Sequence, residues 1–128
     1  TNGVPVITFG QDEFPAFYSR QSGFKSPLRL DDPASIADIL RVKWELGQNG
    51  SVLIANPVPA GFEIPFAKME VYISESLSEA GRKNITGKNL TPFLLKHISE
   101  NTGGESLAAN IALVKNNAVL GAKISLCL

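Results

Sequence analysis

Cysteine, histidine, methionine and tryptophan each occur once in the 128 residues. With Cys127 alone, no internal disulfide can form, and a reducing compartment is the easier setting. With His97 alone, and no second histidine one helical turn away, a histidine metal site has little support. No charge of one sign prevails. Twelve Lys and Arg balance twelve Asp and Glu, so the basic surface that nucleic acid requires is not expected. No hydrophobic run is long enough for a membrane. The longest, towards Leu128, is broken by Lys115, Asn116, Asn117 and Lys123. There is no signal-peptide pattern, no internal repeat, no Walker lysine and no G-x-G-x-x-G fingerprint. The chain opens on Thr1 rather than Met and stops on the apolar Ile124-Ser125-Leu126-Cys127-Leu128, which reads as a piece of a longer protein.

What is present is a foldable composition. Hydrophobic residues make up 44% and charged residues 19%, which excludes a disordered chain and suits one domain. Val4 to Phe9 is β-branched and aromatic, with Pro5 near its start, and predicts a short buried strand. Gly10 to Asp32 is a long connection carrying Phe14, Phe17, Tyr18 and Phe24. So many aromatics predict an ordered arm that packs down, with one helical turn at residues 14–19. Asp32-Pro33 is a helix start, an acid cap followed by proline at the first helical position. Ile36, Ile39, Leu40 and Trp44 follow at helical spacing until Gly47 and Gly50 end the run. Residues 51–57 predict a second strand, closed by Asn56-Pro57. Strand, helix and strand in that order predict parallel pairing with a right-handed crossover.

Three more helices are expected. The first carries Phe66, Met69, Ile73, Leu77 and Ala80 on one stripe. Residues 84–89 form a turn, and Thr91-Pro92 begins the next helix, with Leu94, Leu95 and Ile98. The last starts at Glu105 or Ser106. It is apolar nearly all round, which predicts burial on every side. The fold class is α/β. Two strands make too small a sheet to close a domain, so further strands are expected before Thr1.

Few residues offer chemistry. Asp12-Glu13 could serve a metal or acid–base site, or lie in a solvated turn or helix start. Asn84-Ile85-Thr86 matches a glycosylation sequon that has no secretory signal to serve it. Residues 102–106 could present backbone N–H groups to an anion, but a tight helix–helix turn explains the glycines better. Cys127 reads as a small apolar filler. Asn110 stands out. It is a poor helix former flanked by Ala108, Ala109, Ile111 and Ala112, and Asn117 lies seven residues on, on nearly the same face. Its amide could pair with a pyrimidine edge, or tie the helix to a neighbouring loop. On the residues alone both readings stand.

Several longer stretches carry a resemblance. They are Gly3-Val4-Pro5-Val6, Asp12-Glu13-Phe14-Pro15-Ala16-Phe17-Tyr18-Ser19-Arg20, Ser22-Gly23-Phe24, Lys43-Trp44-Glu45-Leu46-Gly47, Ala55-Asn56-Pro57, Thr91-Pro92-Phe93-Leu94-Leu95, and Gly103-Gly104 with Ser106 through Ala118. In this order they resemble the pseudouridine-5'-phosphate glycosidase family over essentially the whole chain. The resemblance implies that residues 1–128 are the C-terminal portion of a single α/β glycosidase domain, an α/β/α layered fold with a mostly parallel central sheet. It implies a cytoplasmic homotrimer, or an organellar one in a eukaryote, that uses manganese and binds neither nucleic acid nor membrane. Its small-molecule substrate would be pseudouridine 5'-phosphate, cleaved by water at the C–C glycosidic bond to uracil and ribose 5-phosphate. In the family the sugar opens and is held as a lysine Schiff base, and a glutamate serves as the acid. The lysine segment, the acid and the manganese ligands all belong before Gly3, so no catalytic or metal-binding residue is expected in this chain, and the chain alone is expected to be inactive. Asn110 matches the family position that contacts uracil. The competing readings are a non-catalytic α/β binding or interaction module and an inactive paralogue.

Overall fold

A computed structural model of the chain describes residues 3–128. Strand β1, Val6–Phe9, is the centre of a three-stranded sheet. It pairs in parallel with β2, Arg29–Leu30, on one side and with β3, Leu53–Ala55, on the other. The register sets Phe9 beside Leu30 and Ile7 beside Ile54. Strand β2 was not expected. Two residues in a Pro- and Gly-punctuated arm carry no periodicity, and the pairing is made by backbone bonds, Thr8 N to Leu28 O at 2.8 Å and Gly10 N to Leu30 O at 2.9 Å.

Helix α1, Pro33–Glu45, connects the sheet to β3, giving the parallel crossover the sequence predicts. Its cap is Asp32, whose carboxylate accepts from the Ser35 backbone N–H at 3.0 Å and hydroxyl at 3.1 Å. These bonds, led by the Ser35 and Ala34 backbone N–H groups, hold the Asp32 carboxyl below its ordinary pKa. Ile36, Ala37 and Leu40 face inward, but Trp44 at the end of the expected stripe is half exposed. Lys43 takes the inward position instead and is 7% exposed. Its ammonium donates to the Gln48 and Gly50 carbonyls at 2.5 and 2.9 Å, fixing the turn after the helix.

Helix α2 spans Phe66–Arg82, α3 Leu90–Asn101 and α4 Glu105–Ser125. A 3-10 turn at Gly87–Asn89 runs directly into α3, so the helix begins at Leu90 and Thr91 is not its cap. Pro92 falls in the first turn, where its missing N–H costs nothing. Within α2 the stripe divides: Met69 and Ala80 are buried together with Ser76, while Phe66, Ile73 and Leu77 stay partly open. Helix α4 also departs from expectation. Ser106, Ala109, Leu113, Leu120 and Ile124 are buried, yet Leu107, Ile111, Val114 and Val119 are each about half exposed or more. Its composition is apolar all round, but the described residues cover one face only. Cys127 lies beyond α4 and is exposed, not a buried filler. Among the described residues no helix is long and apolar enough to cross a membrane.

Two apolar clusters form the interior. Tyr18, Val58, Ile64, Met69 and Ile98 meet Ala109 and Leu113. Ile7, Ile36, Ala37 and Leu40 meet Leu120 and Ile124. Helix α4 therefore serves both, its first half in one and its second half in the other. At about 25 cal/mol per Å² of apolar surface, burial of such side chains is the main stabilising term.

Candidate functional site

Parallel strands place their carboxyl ends side by side, and in open α/β sheets that edge is where ligands bind. Here the edge is formed by Phe9-Gly10 after β1 and Asn56-Pro57 after β3. Gly10 adopts φ 75°, a left-handed conformation that turns the chain out of the sheet and into the arm.

The arm is ordered, as the sequence predicts, but by hydrogen bonds more than by aromatic burial. Of its four aromatic residues only Tyr18 is fully buried, while Phe17 and Phe24 are exposed. No helical turn forms over residues 14–19; that stretch runs extended with bends. The reason is visible in its partners. The Ser19 hydroxyl donates to Ile64 O at 2.6 Å, and Ile64 N donates to Tyr18 O at 3.0 Å. The Arg20 N–H donates to the Glu63 carboxylate at 2.8 Å, and its guanidinium donates to Val58 O at 2.9 Å. The 57–65 loop thus claims the backbone groups a helical turn would need. Burial pushes the Tyr18 hydroxyl above its ordinary pKa, against a smaller lowering from its hydrogen bond with Ser106.

Asp12 and Glu13 brace this arm. The Glu13 carboxylate accepts from the Ser22 and Gly23 N–H groups at 3.0 and 3.3 Å. Asp12 pairs with Arg29 at 3.1 Å. Their position is neither a helix start nor a metal cluster. Among the described residues no three His, Cys, Asp or Glu side chains converge to hold a metal ion, so no chemistry is routed through a metal on these residues. His97 is absorbed by packing. It contacts the buried Ser76 hydroxyl at 2.9 Å and the Asn101 amide at 3.0 Å, and stacks on Phe93 with ring centres 5.5 Å apart. Gly103 and Gly104, at φ 59° and 89°, make the tight α3–α4 turn. Glu105 follows at once and pairs with Lys68 at 2.7 Å, so that helix end already faces a carboxylate.

The asparagines of α4 separate into two roles. Asn116 donates its amide to Pro57 O at 3.2 Å, and Asn117 accepts from the Asn56 amide at 3.1 Å. These two tie the helix to the loop after β3. Asn110 does not share that task. It is half-buried, and its side chain makes no hydrogen bond among the described residues, so both its donor and its acceptor are unclaimed.

The opposite flank of the helix, with Ala108, Ile111 and Val119, closes an apolar cleft of 480 Å³ against Pro59 and Phe62. A smaller cleft of 220 Å³ lies at the strand ends themselves, lined by Gly10, Arg20, Asn56, Asn116 and Lys123 among others. The sequence reading did not single these residues out. The available signal was positional: Asn56 directly follows a parallel strand, and Arg20 sits in the arm that follows its neighbour.

Known proteins share both sequence and fold with this chain. The family model described as "Indigoidine synthase A like protein" matches residues 1–127. A pseudouridine-5'-phosphate glycosidase of Solibacter usitatus is 56% identical over 125 residues, 98% of this chain and 42% of that protein. One from Deinococcus radiodurans is 54% identical, over 98% of this chain and 40% of the relative. The chain therefore spans about two fifths of the length of these curated relatives. Among solved structures, an indigoidine synthase A-like protein from Thermotoga maritima superposes with a TM-score of 0.83 at 32% identity, over 98% of this chain and 41% of that one. The prealnumycin C-glycosynthase in complex with ribulose 5-phosphate superposes with the same TM-score, 0.83, at 28% identity, also over 98% and 41%. The resemblance carried by the quoted motifs and the α/β architecture thus agree, and the chain belongs to the family of indigoidine synthase A-like proteins.

Proposed function

We propose that this chain is the C-terminal portion of a pseudouridine-5'-phosphate glycosidase domain, and that its α4 supplies part of the uracil pocket. The observation that carries the reading is identity above one half to relatives of that name across 98% of the chain. In the parent protein water cleaves the C–C bond of pseudouridine 5'-phosphate to give uracil and ribose 5-phosphate. A carbon leaving group gives a general acid no oxygen to protonate, so the oxygen-directed pair of carboxylates used by most glycosidases does not suffice. Covalent capture of the opened sugar by a lysine answers that difficulty. The lysine, the glutamate acid and the manganese ligands lie outside residues 1–128, and the working form is a cytoplasmic homotrimer.

Asn110 is the residue of this chain that faces the base. Its unclaimed donor and acceptor match the paired acceptor and donor of a uracil edge. Asn110→Ala in the intact enzyme removes two neutral hydrogen bonds, about 0.5–1.5 kcal/mol each. The value of kcat/KM then falls roughly tenfold to a hundredfold while the lysine chemistry persists. Asn110→Asp is worse, because it loses the donor and adds a charge that must be desolvated. Uracil release with manganese present is the assay. An intact protein that releases no uracil refutes the activity. An Asn110→Ala enzyme with unchanged kcat/KM and a lowered melting temperature refutes the role of the residue. The 128-residue chain alone releases no uracil above a heat-killed control.

A further inference from the structure

We propose that the cleft at the carboxyl ends of β1 and β3 is a phosphate-binding site, with Arg20 and Lys123 as its two cations. The cleft encloses 220 Å³, enough for a phosphate group with a few attached atoms, and none of the residues lining it is acidic. The chain as a whole is neutral, yet two positive side chains meet here. Among the described residues neither forms an ion pair. The carboxylate nearest to Arg20 in the hydrogen-bond pattern, Glu63, accepts from its backbone N–H and not from its guanidinium.

The guanidinium is held in place without being used up. One nitrogen donates to Val58 O at 2.9 Å, and the remaining N–H groups of the fork stay available for a phosphate oxygen. Asn56 and Asn116 are fixed in the same way. Each gives one amide hydrogen to a neighbour, Asn117 and Pro57 respectively, and keeps a second for a ligand. Phe9, Val119 and Leu120 supply an apolar wall that lowers the local dielectric and strengthens attraction to a dianion. Gly10 opens the mouth: a side chain there would meet nothing within 4 Å, so a ligand finds clear space beside the strand end. Two unpaired cations, two oriented amides and no carboxylate select a doubly charged anion over a neutral or singly charged one.

The shared chemistry is that of a phosphate dianion, whether free or esterified. The inference does not rest on the glycosidase reading, and its test reads binding rather than turnover. Inorganic phosphate, ribose 5-phosphate and ribose are titrated into the intact protein by calorimetry at low and high salt. Both phosphates bind, ribose does not, and affinity falls as salt rises. Tighter binding of ribose 5-phosphate assigns the site to a phosphate monoester, and equal binding assigns it to free phosphate. Lys123→Gln changes an exposed residue that holds no part of the fold together, and weakens phosphate binding about tenfold, as loss of one charge-assisted bond requires. Arg20→Gln weakens it at least as much, and Arg20→Lys recovers part of the loss by restoring the charge without the fork. Wild-type affinity in a folded Lys123→Gln protein overturns the proposal, as does the absence of phosphate binding to the parent protein.

Discussion

Replacing Lys43 by Met tests how the α1–β3 crossover is held. The side chain is 7% exposed, and its ammonium spans the Gln48 and Gly50 carbonyls at 2.5 and 2.9 Å. Methionine keeps the apolar stem and removes both bonds. Hydrogen bonds from a charged donor contribute about 1.5–3 kcal/mol each. Two effects work against the full sum. The ammonium no longer has to be desolvated, and Gln48 and Gly50 are exposed, so water reaches the freed carbonyls. The loss therefore lies near the cost of one such bond, about 2 kcal/mol. At about 2.1 cal/mol/K per residue, unfolding 128 residues carries an entropy near 0.27 kcal/mol/K, so Tm falls by roughly 7 °C. Circular dichroism melts of Lys43→Met against the parent protein measure this. Lys88→Met, an exposed lysine in the α2–α3 turn, serves as the control and stays within about 2 °C. A Lys43→Met protein that melts at or above the parent temperature refutes the reasoning, because desolvation of the ammonium would then outweigh both bonds.

Thr8 moves stability the other way. It is 0% exposed at the centre of the sheet and its hydroxyl has no partner, so Thr8→Val, with the same branching, raises stability by about 1 kcal/mol in a denaturant melt; a lower midpoint would reveal a partner for that hydroxyl. Asp32 gives a pH signature. Its folded pKa lies below the ordinary 3.8, so the cap stabilises fully above that value and its contribution disappears as pH falls through the lowered folded pKa. Asp32→Ser keeps a cap without the titration, and its melting curve loses that segment of acid dependence; identical acid profiles for the two proteins would remove Asp32 as the cause. Finally, the open face of α4 with Leu107, Ile111, Val114 and Val119 makes the 128-residue chain bind an apolar dye and associate with rising concentration. A chain that stays monomeric and dark to the dye contradicts the exposure described above.

Much of this fold was legible because the signals were local. The Asp32-Pro33 start, the glycines at 47 and 103–104 and the strand from Val6 to Phe9 each depend on neighbours in sequence, and each is found where expected. What escaped was set at long range. Strand β2 exists only because β1 lies beside it. The helical turn at 14–19 was displaced by bonds to residues more than 35 positions away. The candidate site divides along the same line. Asn110 announces itself by polarity amid alanines. Arg20, Asn56, Asn116 and Lys123 become a group only when the parallel strands bring their ends together. Asn117 looked equivalent to Asn110 by helical spacing, but the loop after β3 takes its amide and leaves that of Asn110 free.

Because α4 completes both apolar clusters, the order of synthesis matters. A ribosome releases β1, α1 and the arm long before Ala109, Leu113, Leu120 and Ile124 emerge, and until then Ile7 and Tyr18 have only part of their enclosure. Local helices can form meanwhile, since their contacts are near in sequence, but closure of either cluster waits for contacts separated by most of the chain. The nascent protein therefore spends its translation as an open, sticky intermediate, which makes it a natural client for chaperones that shield apolar segments. A stop codon placed within α4 would trap that intermediate permanently.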